Sequence, residues 1–315
     1  MQQLLFSLNA TLPIFFVMVI GYVLRQLKLV DEPFVKTLNS FNFKVTLPAL
    51  LFQDLASSDF AAVWDTTYVL YCFLVTLSCI LLIWFLAAKF FHNKELIGEF
   101  VQSSYRGSAA VLGIAFIQNI YGSSGMAPLM IFATVPLYNI AAVIILSLTS
   151  PEQGGLSKAT LLRSAKKVAT NPIIIGILAG ALVSLLPFSF PPVFQKTLSN
   201  VACLATPLAL IGLGAGFEGR KAIALLRPTI VCTLTKLMLQ PAVFLPLAVY
   251  LGFRDEKLIA LLVMLGAPTT VSCYIMAKNM GHKGVLTSSV VVASTFFSSV
   301  SMTFWIWLLR MAGLI

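Results

Sequence analysis

The chain has 315 residues, of which 59% are hydrophobic and 10% charged, and its mean hydropathy is +0.95. A soluble domain carries roughly 25% charged residues, so this composition excludes an ordinary soluble protein and leaves almost no length for a soluble domain. The formal net charge of +10 would suit a nucleic-acid binder, but its placement points to a lipid bilayer instead.

A spanning helix needs about 20 apolar residues, and ten segments meet that length: Leu8–Leu27, Phe34–Leu55, Thr67–Ala88, Ile97–Ile120, Ala127–Leu148, Val168–Leu186, Leu198–Phe217, Pro228–Leu251, Leu258–Lys278 and Leu286–Leu309. The fold class expected is therefore an all-α integral membrane protein. With the N-terminus outside, the outer loops hold only Lys196, Arg254, Lys257 and Arg310 among the 21 basic residues, and Lys44, Arg106 and Lys236 lie within spans. All the others fall on inner loops, a strong positive-inside bias. The basic charge sets orientation and meets anionic lipid. Both termini are expected on the non-cytoplasmic side of a plasma membrane, and no nucleic-acid partner is expected.

Span one opens at Leu12-Pro13-Ile14 and reaches Gly21; span six opens at Asn171-Pro172-Ile173 and reaches Gly180, an offset of 159. Leu47-Pro48-Ala49 of span two and Thr206-Pro207-Leu208 of span seven keep that offset, and Phe34-Val35-Lys36-Thr37-Leu38 matches Phe194-Gln195-Lys196-Thr197-Leu198 at 160. These coincidences read as an internal repeat. Five spans per copy is an odd number, so the second copy enters the membrane from the opposite side, as in the inverted repeats of secondary transporters. The expected division is 1–150 for the first repeat, 151–170 for a short cytoplasmic link with its turn at Pro151-Glu152-Gln153-Gly154-Gly155, and 171–315 for the second. The G-x-x-x-G spacings Gly176/Gly180 and Gly212/Gly216 allow close helix approach. On that ground spans one, two, six and seven form a frame, and spans three to five and eight to ten a transport part. Tyr121–Gly125 and Met280-Gly281 read as tight exits after spans four and nine.

Span nine is interrupted by Leu265-Gly266-Ala267-Pro268-Thr269-Thr270-Val271-Ser272. Pro268 lacks a backbone donor and clashes with the preceding turn. Lipid offers no partner for the carbonyls it frees, so such a break belongs beside protein or a water-filled cavity. About 160 residues earlier, span four carries Tyr105-Arg106-Gly107-Ser108 at a similar depth. Paired interrupted helices in two halves mark a transporter binding site. Candidate substrate ligands are Arg106, Gly107, Ser108, Asn139, Gly266, Pro268, Thr269, Thr270 and Ser272, with Lys44, Lys236 and Asn119 as candidate ion or charge-pair residues. An ionisable group within the membrane is a functional-site hypothesis by default. Arg106 is either a counter-charge for an anion or a structural cation tied to the carbonyls of the break. Lys44 either snorkels to the inner face or faces the cavity. Lys236 is either a cavity cation or part of a structural ion pair. Each neutral polar residue taken alone also fits a helix–helix hydrogen bond. Asp54, Glu95 and Glu99 fall near span ends and the other acids in loops, so no acidic pair marks a proton or sodium site at mid-membrane. Buried cations without buried acids favour an anionic substrate, with hydroxyls and carbonyls left to bind any coupled sodium ion.

The five cysteines fall inside expected spans with no metal or disulfide spacing. No metal or other cofactor is implied. H-E-x-x-H, G-x-S-x-G and P-loop patterns are absent, which argues against an intramembrane enzyme or an ATP-driven pump. A channel or a membrane sensor is the competing class.

Phe41-Asn42-Phe43-Lys44-Val45-Thr46-Leu47-Pro48-Ala49-Leu50-Leu51-Phe52, Tyr105-Arg106-Gly107-Ser108-Ala109-Ala110-Val111-Leu112-Gly113, Lys236-Leu237-Met238-Leu239-Gln240-Pro241 and Gly266-Ala267-Pro268 together resemble the second, fourth, eighth and ninth helices of the auxin efflux carrier family, over essentially the whole chain. The resemblance implies ten helices in two inverted repeats, with helices four and nine crossing at their breaks. It also implies elevator-like motion, a homodimer and an organic-anion substrate: indole acids in plants, malate or malonate in bacteria. The family often has Asn after the glycine of helix four, where this chain has Ser108. It also lacks the long hydrophilic central loop of many plant members, which suggests a bacterial relative.

Overall fold

The computed structural model describes residues 2–56, 64–91, 94–109, 117, 126–150, 166, 169–184 and 190–315. Asn119, Asp59, His92, the Tyr121–Gly125 turn and nearly all of the 151–170 link lie outside the described residues. Among the described residues the structure is helical and contains no strand.

In chain order the helices are α1 (Gln2–Gln26), α2 (Glu32–Phe41), α3 (Leu47–Ala56), α4 (Thr66–Phe90), α5 (Lys94–Tyr105), α6 (Ala127–Thr149), α7 (Pro172–Ser184), α8 (Pro192–Ala202), α9 (Ala205–Ala215), α10 (Gly219–Ala224), α11 (Leu226–Leu234), α12 (Gln240–Tyr250), α13 (Asp255–Gly266), α14 (Ser272–Asn279) and α15 (Val285–Met311). Among the described residues, five stretches are long and apolar enough to cross a membrane: Thr66–Phe90, Ala127–Thr149, Pro192–Ala215, Leu226–Tyr250 and Val285–Met311. Leu12–Gln26 and Pro172–Ser184 are shorter apolar helices.

Local chemistry sets several boundaries. Asp31 accepts from Phe34 N at 2.9 Å and opens α2, and Asp65 accepts from Tyr68 N at 3.0 Å and opens α4, both as side-chain N-caps. Wide π turns, Asn42–Thr46 and Thr235–Leu239, join α2 to α3 and α11 to α12. Each comes shortly before a proline, Pro48 or Pro241. Pro241 has no N–H for the Leu237 carbonyl one turn back; the indole Nε1 of Trp305 donates to that carbonyl instead, at 3.0 Å. Span seven begins at Pro192 rather than at Leu198 and turns at Cys203-Leu204, so Lys196 lies on a helix and not in a loop.

The close approaches obey the repeat offset. Gly21 of α1 packs on the backbone of Ile211 in α9, and Gly180 of α7 packs on the backbone of Phe52 in α3; Gly21 to Gly180 and Phe52 to Ile211 are both steps of 159. Gly176 likewise meets the backbone of Pro48. At all three a Cβ would collide with backbone that has no room to move. Gly212 and Gly216 behave differently from the expectation of helix–helix contact: they face the side chains of Asn39 and Tyr274. Helix α1 also packs along α15, where Phe15 and Phe296 have ring centroids 5.8 Å apart.

Candidate substrate site at the helix crossing

Helix α5 ends at Tyr105 and α13 at Gly266, and the two unwound segments pair with one another. Gly107 and Thr269 form an antiparallel bridge, and Ser108 N donates to Pro268 O at 2.8 Å. Each interrupted strand of backbone thus supplies the partners that lipid would not.

The last four carbonyls of α5 lack intrahelical donors by construction, yet each has one. Gln102 O accepts from Arg106 N at 3.2 Å. Ser103 O accepts from Thr269 Oγ1 at 2.7 Å, Ser104 O from Gln240 Nε2 at 2.5 Å, and Tyr105 O from Lys236 Nζ at 3.2 Å. Lys236 also donates to Met264 O of α13 at 3.0 Å and has no exposed surface. One ammonium therefore sits at two helix C-termini, where the backbone dipoles favour positive charge. Among the described residues the partners of Lys236 Nζ are these backbone carbonyls rather than a carboxylate. Thr269 N donates to Ser294 Oγ of α15 at 3.0 Å, which anchors the second break from the other side.

Arg106, at 2% exposure, is held by neutral groups. Its Nη2 donates to Asn139 Oδ1 at 2.8 Å and to Ser272 Oγ at 3.0 Å, its Nη1 lies 2.9 Å from Met276 Sδ, and its Nε has no hydrogen-bond partner. Asn139 is oriented by its own donation to Val135 O at 2.8 Å. Among the described residues, neither of the ion pairs Lys221–Glu218 and Lys257–Asp65 involves the guanidinium.

Beside Arg106 is a cavity of ≈ 90 Å³. Gly107, Ser108, Asn139, Thr270 and Ser272 line it with Arg106; α3, α7 and α9 form the opposite wall. A smaller hollow of ≈ 20 Å³ is lined by Ser108, Pro268, Thr269 and Thr270. Of the other sequence candidates, Gly266 is buried against Pro241 and Met302, and Lys44 is exposed and lines neither hollow.

Sequence reasoning missed four participants. Asp54 and Thr206 line the cavity, and Gln240 completes the capping of α5. Glu99, expected near a span end, is 2% exposed and accepts from Gly284 N at 2.8 Å, Thr287 N at 3.0 Å and Thr287 Oγ1 at 3.1 Å, so it caps α15 from another helix. The signal available for Gln240 was its place one turn after Lys236 on the same face.

The family model described as "Membrane transport protein" matches residues 6–306. A protein of Rhizobium meliloti described as "Putative malonate transporter" is 24% identical over 327 residues, covering 96% of each chain. An "Uncharacterized transporter" of Methanothermobacter thermautotrophicus is 23% identical over 303 residues, covering 95% of this chain and 97% of its own.

Proposed function

Because the chain belongs to the membrane transport protein family, in keeping with its resemblance to auxin efflux carriers, we propose that it is a secondary carrier for a small organic anion such as malonate or malate. The observation that carries this reading is Arg106. A buried guanidinium that lines a cavity, bonds only neutral groups and keeps Nε free is ready to take a carboxylate, for which its planar fork is the preferred partner. Ser272 and the N-terminus of α14 border the same space and add hydroxyl and dipole to the positive wall.

In this reading the chain spans the plasma membrane ten times as two inverted five-helix repeats, 1–150 and 171–315, joined by the 151–170 link. The reciprocal pairs Gly21–Ile211 and Gly180–Phe52 support it, since a two-fold related frame requires each contact to recur at the repeat offset. Spans one, two, six and seven form the frame; the crossing moves against it in an elevator-like step. Two conformations related by the repeat would open the cavity to either side in turn. The assembly is a homodimer with its termini outside the cell, and a proton or sodium ion is coupled to the anion.

Uptake of labelled mono- and dicarboxylates into proteoliposomes, with sodium and pH gradients imposed separately, tests the reading. Saturable uptake with counterflow is expected. Non-saturating flux without counterflow would make the protein a channel, and binding without flux a sensor.

A further inference from the structure

Helices α4 and α11–α12 run antiparallel and meet at one end. Tyr71 of α4 donates its hydroxyl to Phe244 O of α12, and Lys257 at the start of α13 reaches Asp65 at the start of α4. Along the rest of their length the two pack little against each other. Both lean on α5 instead, and α4 leans on α6 as well. The space left between them is a groove of ≈ 720 Å³. Leu82, Leu86 and Phe90 of α4 face it from one side and Val231, Leu239 and Val243 from the other, and all six are exposed. Phe100 of α5 and Gln240, whose amide donates to Ser104 O, also line it.

Depth and charge select the occupant. Arg227 to Phe244 is about 25 Å of helix and Cys79 to Phe90 about 17 Å, at about 1.5 Å per residue. One leaflet contributes about 15 Å of hydrocarbon, half of the core. The bond from Tyr71 to Phe244 O closes the groove at its far end. A spanning helix from a second copy or a partner would need the whole core open beside it; an acyl chain of one leaflet needs only this length. The open end is basic. Arg227 lines it and forms no ion pair among the described residues, and Lys89 stands exposed in the last turn of α4 at the same end. Glu218, the acid that precedes α10, is taken by Lys221.

We infer that this groove holds one acyl chain of an anionic phospholipid, with the lipid phosphate on Arg227 at its mouth. An Arg–phosphate contact is charge-assisted, and an anionic head group adds a net attraction that a zwitterionic one lacks, because its own cation offsets the phosphate. The chain rests on Phe100 and Gln240, so an occupied groove braces α5 one turn before its break at Arg106. None of this depends on what the protein transports.

Native mass spectrometry of the purified full chain tests this. The protein is delipidated and equilibrated with mixed micelles of phosphatidylglycerol and phosphatidylcholine in equal amounts, and the lipid that survives longest under collisional activation is read. One basic contact near the membrane surface favours an anionic lipid about fivefold, so the wild type is expected to retain phosphatidylglycerol over phosphatidylcholine by about that factor. Arg227→Gln should bring the two to parity. Leu239→Trp fills the groove from an exposed position, leaves Arg227 in place and should lower retention of both lipids. Val231→Trp does the same from the other end of the same wall and replaces it if that variant folds poorly. Equal retention of the two lipids by the wild type, or a preference that survives in Arg227→Gln, overturns the inference. So does full retention in the folded Trp variants, since the head group would then bind without its chain. A disulfide between two copies of Val231→Cys in lipid-free detergent would also overturn it and give the groove to a second copy.

Discussion

The ammonium of Lys236 donates to the carbonyl of Tyr105 at 3.2 Å, and through its 3.0 Å bond to Met264 O it ties together the C-termini of both interrupted helices. Replacing it with Met keeps the volume and leaves two buried carbonyls short of a donor. Hydrogen bonds to charged groups contribute about 1.5–3 kcal/mol each. Lys236→Met should therefore lower the thermal midpoint of the detergent-solubilised protein by several degrees, as read by tryptophan fluorescence. An unchanged midpoint would mean that these carbonyls find other donors.

Gly107 makes the same point from the other side. A Cβ there would lie 3.0 Å from Lys236 Nζ, 3.1 Å from its Cε and 3.3 Å from Ala267 O. Gly107→Ala must push the ammonium off its carbonyls or open the crossing, and overpacking of this kind costs about 1–3 kcal/mol. The double variant Gly107→Ala/Lys236→Met should be less destabilised than the sum of the two, since both disturb one arrangement. Strict additivity in thermal unfolding would separate the two residues.

The crossing was legible in sequence because prolines, glycines and cations seldom stand in the middle of an apolar run unless the backbone breaks or a charge is needed there. Arg106, Gly107 and Pro268 announced themselves in this way. Glu99 did not, since a polar residue near a span end is ordinarily solvated, and Gln240 did not, since an uncharged amide within a span fits a helix–helix hydrogen bond equally well. Only the packing of α5 against α15 and α12 shows that their side chains reach helix termini elsewhere in the chain. Asp54 reads as a span-end acid for the same reason. The two faces of α9 also required coordinates: the spacing of Gly212 and Gly216 is that of a helix contact, but whether backbone or a side chain fills the groove depends on the neighbour.

Glu99 holds the start of α15 through three bonds, to Gly284 N, Thr287 N and Thr287 Oγ1. Gly284 has φ +71°, so the turn before α15 has no ordinary side-chain cap of its own. Glu99→Ala should cost about 1–3 kcal/mol as buried donors lose their acceptor. It should also raise amide hydrogen exchange at 284–288 above that of the rest of α15. Protection equal to the wild type there would show that water replaces the carboxylate.

The N-terminal ends of α4 and α13 are joined by Lys257 and Asp65, 2.6 Å apart. The hydrogen bond from Lys257, and after it the backbone N–H of Tyr68, holds the Asp65 carboxyl below its usual range. A depressed carboxylate contributes stability above its unfolded value, about pH 4, and loses it as pH falls through the lower folded value. The pair is partly exposed, so its contribution is at most about 1 kcal/mol. Asp65→Asn retains a cap for α4 and removes the charge; its stability difference from the wild type should be present at neutral pH and shrink below about pH 4. A difference independent of pH would assign the effect to the cap alone.

Arg106 faces the most direct test of geometry over charge. Lys at this position keeps the cation but has no planar fork. An ammonium is a single nitrogen, so it cannot hold Asn139 Oδ1 and Ser272 Oγ as Nη2 does and also face a carboxylate with a separate, coplanar nitrogen. Loss of one charge-assisted bond, about 1.5–3 kcal/mol, corresponds to a rise of about tenfold or more in the KM for malonate uptake. Arg106→Ala should remove uptake while leaving the fold intact, because the free carbonyls of the break are capped by Lys236, Gln240 and Thr269 rather than by Arg106. Asn139→Ala should fall between them, since it keeps the guanidinium but frees it to turn away from the cavity. Equal uptake by wild type and Arg106→Lys would reduce the residue to a point charge, and undiminished uptake by Arg106→Ala would remove it from the binding site.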